Sequence, residues 1–445
     1  MKAQHILGVD YLLLLSSIAL TVFGVLFIYS SGINSAGVQS STEYSRQIIW
    51  GVSGFILAIA LLVIDYHKLH NISFYVYLGT LGLLIYTCIF GKLVSGARAW
   101  LGIGDYGVQP SEFAKITTII FLARYLDNTK RKVVAFTRFL VSCIIVFVPM
   151  LLILLQPDLG TALVFIPILL IMTFVAGVSV RYVVFLGAVI GLTSILMVLP
   201  LWQSYIMENA LPSLAILING QFIGIAILAL SVVGALGFLG LFLYKKSYFF
   251  WIVYGTAILI LSLGLSYLSH KVLRDYQIMR LIVFLDPSVD AQGAGWNINQ
   301  SIIAIGSGGM QGKGYLQGTQ SHYSFVPQQS TDFIFSIFAE EWGFRGGVVV
   351  FGLFLLICFR FLRIIKLASD TFGAYISAGL SAMYIFHFLI NVGMTMGIMP
   401  ITGIPLLFMS YGGSSIISAM SGIGLALSIH LRRFEVVSER YVRDT

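Results

Sequence analysis

Apolar runs of about twenty residues recur along almost the whole chain, and a run of that length is what an α-helix needs to cross a bilayer. They centre on residues 11–30, 47–65, 73–91, 111–126, 134–155, 158–177, 181–201, 220–243, 248–268, 333–364, 373–397 and 406–430. A backbone that crosses lipid must satisfy its own polar groups, so these runs predict an all-α, polytopic integral membrane bundle of about twelve helices. Composition agrees: 58% of residues are hydrophobic and 10% are charged, against about a quarter charged in an ordinary soluble domain. The first run has no small-residue cleavage site after it and reads as a retained span. Cys88, Cys143 and Cys358 all fall inside apolar runs, which excludes a disulfide framework as the basis of the fold.

The net charge is +8, and its placement argues against nucleic acid. Basic residues cluster in short connections, at Lys130-Arg131-Lys132, Lys245-Lys246, Arg360/Arg363/Lys366 and Arg432-Arg433. That is the positive-inside pattern, with anionic membrane lipids as the electrostatic partner. A cytoplasmic N-terminus puts every one of these clusters inside and puts the long Gly- and Gln-rich segment 269–332 outside. A structureless connection of that length is uncommon and is usually functional.

Charged groups in membrane helices are costly, so each asks for a reason. Glu112 and Lys115 are three residues apart and share a helix face; a local ion pair and a functional role both fit. Asp158 follows Pro157 where a span begins, and helix capping competes with function there. Asp332 opens the run Asp332-Phe333-Ile334-Phe335-Ser336, directly after the long segment. An acid at the outer edge, next to apolar rings and under a loop, suits a general base, and capping is again the alternative. Gly306-Ser307-Gly308-Gly309-Met310-Gln311-Gly312-Lys313-Gly314 fails the phosphate-loop spacing. Its amides could cradle a pyrophosphate, or its glycines could simply allow a tight re-entrant path. Arg274, Arg280 and Lys313 give the outer segment basic character. The histidines, His387 among them, show no metal-ligand spacing.

Several of these stretches resemble the SEDS family (shape, elongation, division, sporulation), and in particular its rod-shape, RodA-type branch. They are Gly96–Lys115, Gln156–Thr161, Asp275-Tyr276-Gln277, Asp286–Gly347 and Gly397–Ser415 with its Ser410-Tyr411-Gly412-Gly413-Ser414-Ser415. The resemblance runs the length of the chain except for about residues 202–270, and it implies that residues 1–445 form a single transmembrane domain. It implies a family core of ten spans, to which residues 202–270 would add a helical pair, with partner docking as one guess for its role. It implies a peptidoglycan glycosyltransferase of the bacterial cytoplasmic (inner) membrane that polymerises lipid II during cell elongation. Its partner would be a class B penicillin-binding transpeptidase, and a divalent cation (Mg or Mn) could assist. The family's essential acid matches Asp332. Its polar cavity residues match Glu112, Lys115 and Asp158, with Arg46, Arg98 and Trp100 as further members and Lys313 as a basic group for the anionic head group. Gln328 and Ser330 stand where the family usually has Glu and His. A flippase for the same lipid is the competing expectation, and a scaffold that only recruits wall enzymes is a third.

Overall fold

The computed structural model describes residues 8–434 except 35, 95, 104–105, 131, 207–218, 273–274 and 324; Arg131 and Arg274 thus lie outside the described residues. Helices α1 Tyr11–Ser31, α2 Glu43–Val63 and α3 His67–Phe90 lead to three short strands, β1 Lys92–Val94, β2 Ala97–Ile103 and β3 Tyr106–Val108. These form an antiparallel sheet in the order β1-β2-β3. There follow α4 Pro110–Asn128, α5 Ala135–Leu155, α6 Leu159–Leu163 and α7 Phe165–Val175, then α8 Val180–Ile206, α9 Gly220–Tyr244 and α10 Ser247–Val272. Next come α11 Asp275–Leu285, a 3-10 turn Pro287–Asp290, α12 Ala294–Gly308 and α13 Thr319–His322. The chain ends with α14 Ile334–Leu367, α15 Thr371–Thr395 and α16 Gly413–Leu431.

Among the described residues, ten helices are long and apolar enough to cross a membrane. All twelve expected runs are helical, and the two outside the ten fail for identifiable reasons. Helix α4 carries Glu112, Lys115, Arg124 and Asp127, and it is accommodated by packing against α3, α5, α15 and α16. Residues 159–175 are divided at Val164 into α6 and α7. The segment 269–332 is not an open coil: the end of α10, then α11, α12 and α13, give it helical structure.

The chain divides into two compact units, residues 1–178 with 297–445, and residues 179–296. In the second, α10 packs on α8 and α9, and a Cβ at Gly237 would lie 3.0 Å from the Ile252 side chain. Residues 202–270, expected as an added pair, hold the end of α8 together with α9 and α10. In the first unit α15 and α16 are the central helices, with 72% and 89% of their apolar windows buried.

One helix of the first unit is broken, and the break organises what surrounds it. At Gly343 the backbone of α14 leaves helical geometry (φ 61°, ψ −161°). Such a break strands carbonyls on one side and amides on the other, and each unsatisfied group in hydrocarbon costs several kcal/mol. The run 308–314 fills the gap. Lys313 N–H and Gly314 N–H donate to the carbonyls of Glu340 and Glu341, each at 3.0 Å, while Phe344 N–H and Arg345 N–H donate to Gly309 and Met310 at 2.8 and 3.3 Å. Glycine is required for this approach: a Cβ at Gly312 (φ +78°) would collide with the Glu341 carbonyl, and one at Gly308 with that of Ala339. The glycines thus serve close backbone packing.

Gly312→Ala is expected to destabilise the protein by about 2 kcal/mol or more, since it adds left-handed strain to a backbone collision. Gly347→Ala, four residues beyond the break with open space at its Cβ, should stay within about 0.5 kcal/mol of the parent. Thermal unfolding of the detergent-purified protein compares them; equal effects would contradict the docking.

Candidate functional site

Asp332 sits in a tight turn two residues before α14. Gln328 adopts φ +51°, and its carbonyl accepts the amides of Thr331, Asp332 and Phe333 at 3.2, 3.2 and 3.3 Å. Three other parts of the first unit then fix this turn. Tyr411 N–H donates to Ser330 O at 2.8 Å. The Gln329 side chain donates to Ser31 O, at the end of α1, at 2.6 Å. Asn391 Nδ2 on α15 donates to the Asp332 carbonyl at 2.9 Å and to Ile404 O at 2.8 Å. The N-cap of α14 is Phe333, one residue later than capping by Asp332 would need, so the capping alternative loses its geometry. Phe333 and Phe335 are buried, while Asp332 is half-buried. Its backbone is therefore over-determined.

Glu112 and Lys115 form the expected pair, and a third residue joins them. Lys115 Nζ lies 2.7 Å from Glu112 Oε1 and 3.0 Å from His387 Nε2. His387 Nδ1 lies 3.0 Å from the Pro405 carbonyl. A carbonyl only accepts, so Nδ1 carries the proton and Nε2 accepts from the ammonium. The side chains of Lys115 and Glu112 are 1% and 3% exposed, and His387 is buried with them. The sequence reading missed His387. Its signal was present as the i, i+4 pairing with Asn391, which puts both on one face of α15. Those two residues grip neighbouring carbonyls, Pro405 and Ile404, and connect the Lys115 cluster to the backbone of Asp332.

Asp158 is a cap and a tether. Its Oδ1 accepts the Thr161 amide at 3.1 Å as N-cap of α6, and its Oδ2 accepts Gln109 Nε2 at 2.8 Å. The Gln109 amide donates to Ser414 Oγ at 2.8 Å, and Ser418 Oγ donates to the Glu112 carbonyl at 2.9 Å. Asp158, Glu112 and the start of α16 are thereby brought together. Arg98 is exposed on β2, and its amide donates to Gln156 O at 3.2 Å, two residues from Asp158. Trp100 lies across the β2–β3 hairpin, its ring 2.9 Å from where a Cβ at Gly107 would be. Arg46 is half-buried in the first turns of α2. Its neighbour Gln47 spans to Ser410 O at 3.1 Å and from Gly412 N–H at 3.2 Å. Lys313 is committed elsewhere, to Glu340 at 2.6 Å. Arg280 lies in the second unit.

Among the described residues no group of three or more His, Cys, Asp or Glu side chains could hold a metal ion. The residues present therefore offer a divalent cation single carboxylates rather than a protein-only cage.

The described residues thus form a polytopic helical membrane protein with a buried ionic cluster and a half-buried acid, Asp332, in the tight turn before a broken helix. The chain belongs to the Cell cycle protein family FtsW/RodA/SpoVE, whose sequence profile matches residues 10–210 and 203–434. It is 48% identical over 433 residues to the peptidoglycan glycosyltransferase RodA of Treponema pallidum (strain Nichols), covering 97% of this chain and 100% of that one. It is 31% identical over 424 residues to the peptidoglycan glycosyltransferase MrdB of Escherichia coli (strain K12), covering 95% and 94%. The fold is similar to that of the Thermus thermophilus rod shape determining protein RodA, with a TM-score of 0.58 and 22% identity, covering 96% of this chain and 98% of that one. It is also similar to a chain from a peptidoglycan synthase complex described as coordinating polymerization and crosslinking, with a TM-score of 0.66 and 24% identity, covering 96% and 99%. Both structural likenesses show the fold.

Removing one member of the buried pair should cost more than removing both. Lys115→Met strands the Glu112 carboxylate and is expected to destabilise by about 3–5 kcal/mol, whereas adding Glu112→Gln should restore most of the loss. Thermal unfolding of the two single variants and the double decides it, and additive losses would contradict a coupled pair.

Proposed function

We propose that this protein is a peptidoglycan glycosyltransferase of the elongation type, polymerising lipid II at the outer face of the bacterial cytoplasmic membrane with Asp332 as general base. The activity is the one named for the Treponema pallidum and Escherichia coli relatives. The observation that carries the residue assignment is the turn 328–332, where contacts from three other parts of the first unit fix the backbone of a half-buried acid.

Sidedness follows from charge placed along a single helix. Asp332 precedes α14, while Arg360, Arg363 and Lys366 occupy its last turns. Arg360 pairs with Asp10 at the start of α1 at 2.6 Å, so the N-terminal end of α1 shares that basic end. The positive-inside rule puts this end in the cytoplasm and Asp332 outside. The polyprenyl tail of lipid II then stays in the bilayer while its sugars reach the acid.

In the reaction the acceptor's GlcNAc 4-hydroxyl oxygen bonds to C1 of the donor MurNAc. The bond from C1 to the pyrophosphate oxygen breaks, its electron pair leaves with undecaprenyl pyrophosphate, and C1 inverts. Asp332 takes the hydroxyl proton, which requires it ionised and within hydrogen-bond reach. The leaving group departs as an anion, so a second carboxylate of the glycosidase kind is not needed. Arg98, exposed near Asp158, and Arg46 near the Ser410–Gly412 bend are the basic groups placed to meet pyrophosphate. A divalent cation carried by the phosphates would add positive charge there. The Glu112–Lys115–His387 cluster is sealed by packing, which supports a structural and electrostatic role over a lipid path through it, and so supports chemistry over flipping. A class B penicillin-binding transpeptidase is the partner that would crosslink the product.

Asp332→Asn keeps the backbone carbonyl that Asn391 holds and should fold normally, yet lose about a hundredfold or more in rate. Purified protein with labelled lipid II, a divalent cation and the transpeptidase, analysed for glycan chain length, measures this. Polymer at the parental rate would remove Asp332 as the base, and lipid movement without polymer from the parent would favour flipping.

A further inference from the structure

Glu340 is a buried acid that the proposed mechanism does not use, and all its recorded donors come from one place. Its Oε1 accepts Lys313 Nζ at 2.6 Å, Thr319 N–H at 2.9 Å, Thr319 Oγ1–H at 3.0 Å and Gln320 N–H at 3.0 Å. Lys313 Nζ also donates to Thr319 Oγ1 at 2.6 Å. Glu341 beside it accepts Leu316 N–H at 3.1 Å and the Ser30 hydroxyl. A Cβ at Gly318 would lie 3.0 Å from Glu340 Oε2 and 3.1 Å from Glu341 Oε1, so a residue without a side chain lets the chain pass both acids. The side chain of Glu340 is 0% exposed and that of Lys313 is 26% exposed.

These contacts sit at the foot of an excursion that ends at Asp332. Residues 313–314 leave the broken helix at Glu340 and Glu341, and the chain returns to the same half-helix through the turn 328–332. The two feet are only about 10 Å apart along the helix. Helix α1 stitches across them: Tyr315 OH donates to Leu26 O at 3.1 Å, and Gln329 donates to Ser31 O at 2.6 Å. A shift at the first foot is thus passed to the turn that carries the acid.

We infer that Glu340 is a positioning residue: with Lys313 it buckles the base of the 313–332 excursion and so holds Asp332 at one working geometry. The four donors on Oε1 belong to the excursion and none to the transmembrane bundle, so the buckle orders the excursion rather than holding the helices together. The inference rests on the reading of Asp332 as the base. A misplacement of about 1 Å at a reacting group costs about a hundredfold in rate, which sets the size of effect expected from opening the buckle.

The test compares Glu340→Ala, Glu340→Gln, Lys313→Met and Asp332→Asn in the full chain with its transpeptidase, using labelled lipid II. Glu340→Ala should lose about a hundredfold in kcat with KM within about threefold of the parent, and its unfolding midpoint should fall by less than that of Lys115→Met, which strands a buried charge. Glu340→Gln keeps an acceptor for the Thr319 and Gln320 amides and should recover part of that loss. Lys313→Met removes one of the four donors on Oε1 and leaves the Thr319 and Gln320 donors in place; it should lose about tenfold in kcat with KM nearly unchanged. Parental kcat in both Glu340→Ala and Lys313→Met overturns the inference, as does a joint fall of kcat, KM and unfolding midpoint in all three variants. If Asp332→Asn polymerises normally, the reading of the base fails first; if it is inactive while the buckle variants are normal, only the positioning role is lost.

Discussion

A backbone amide or carbonyl shut away from water must find a partner, and this protein breaks a helix all the same. The break at Gly343 is tolerable because the run 308–314 supplies the missing carbonyls and amides from another part of the chain. That backbone-to-backbone docking fixes where the long polar excursion begins. The excursion then returns to the N-terminal end of the same half-helix and delivers Asp332 there. Without the break, the backbone contacts of residues 313–314 with Glu340 and Glu341 would be lost, leaving residues 315–332 to their side-chain contacts with α1 and α15 and to the Tyr411 amide.

Helix α15 performs the second act of organisation. It is largely buried, and its polar face presents His387 and Asn391 to consecutive carbonyls at Pro405 and Ile404. Through those contacts the sealed Glu112–Lys115 pair and the Asp332 backbone share one support. The ionic cluster is costly to bury, and what offsets that cost is the pairing of the ammonium with both a carboxylate oxygen and an imidazole. Asp158, which could have served only as a cap, also tethers Gln109 and through it the start of α16. The turn that carries Asp332 therefore stands on a set of polar contacts inside an otherwise apolar bundle.

The membrane class and all twelve helical runs were legible in the sequence because length and apolarity decide both in lipid. The two runs that fall short as simple spans show the limit of that reading. Charges in α4 are hidden by its neighbours, and Val164 divides 159–175; neither fact is visible in a hydropathy window. Asp332, Glu112 and Lys115 were also legible, since a charge in or beside a membrane helix stands out. His387 had only its i, i+4 spacing to Asn391 as a signal, and that spacing gains meaning once Lys115 is seen against it from another helix. The Gly-rich run was ambiguous for the same reason: its glycines answer to carbonyls of Ala339 and Glu341, roughly thirty residues away in sequence, and local pattern cannot show such a partner. Glu340 was passed over because an acid in the middle of a long apolar run is meaningful only once its donors on the excursion are known.

The account turns on which side of the membrane the excursion faces, and thiol accessibility measures that most directly. In a background with Cys88, Cys143 and Cys358 replaced by alanine, Tyr323→Cys on the exposed excursion and Lys130→Cys at the basic end report on opposite faces. A membrane-impermeant maleimide applied to intact cells is predicted to label the first variant readily and the second only after the membrane is permeabilised. The reverse pattern would place Asp332 in the cytoplasm, beyond reach of an extracytoplasmic sugar acceptor, and would contradict the proposed chemistry.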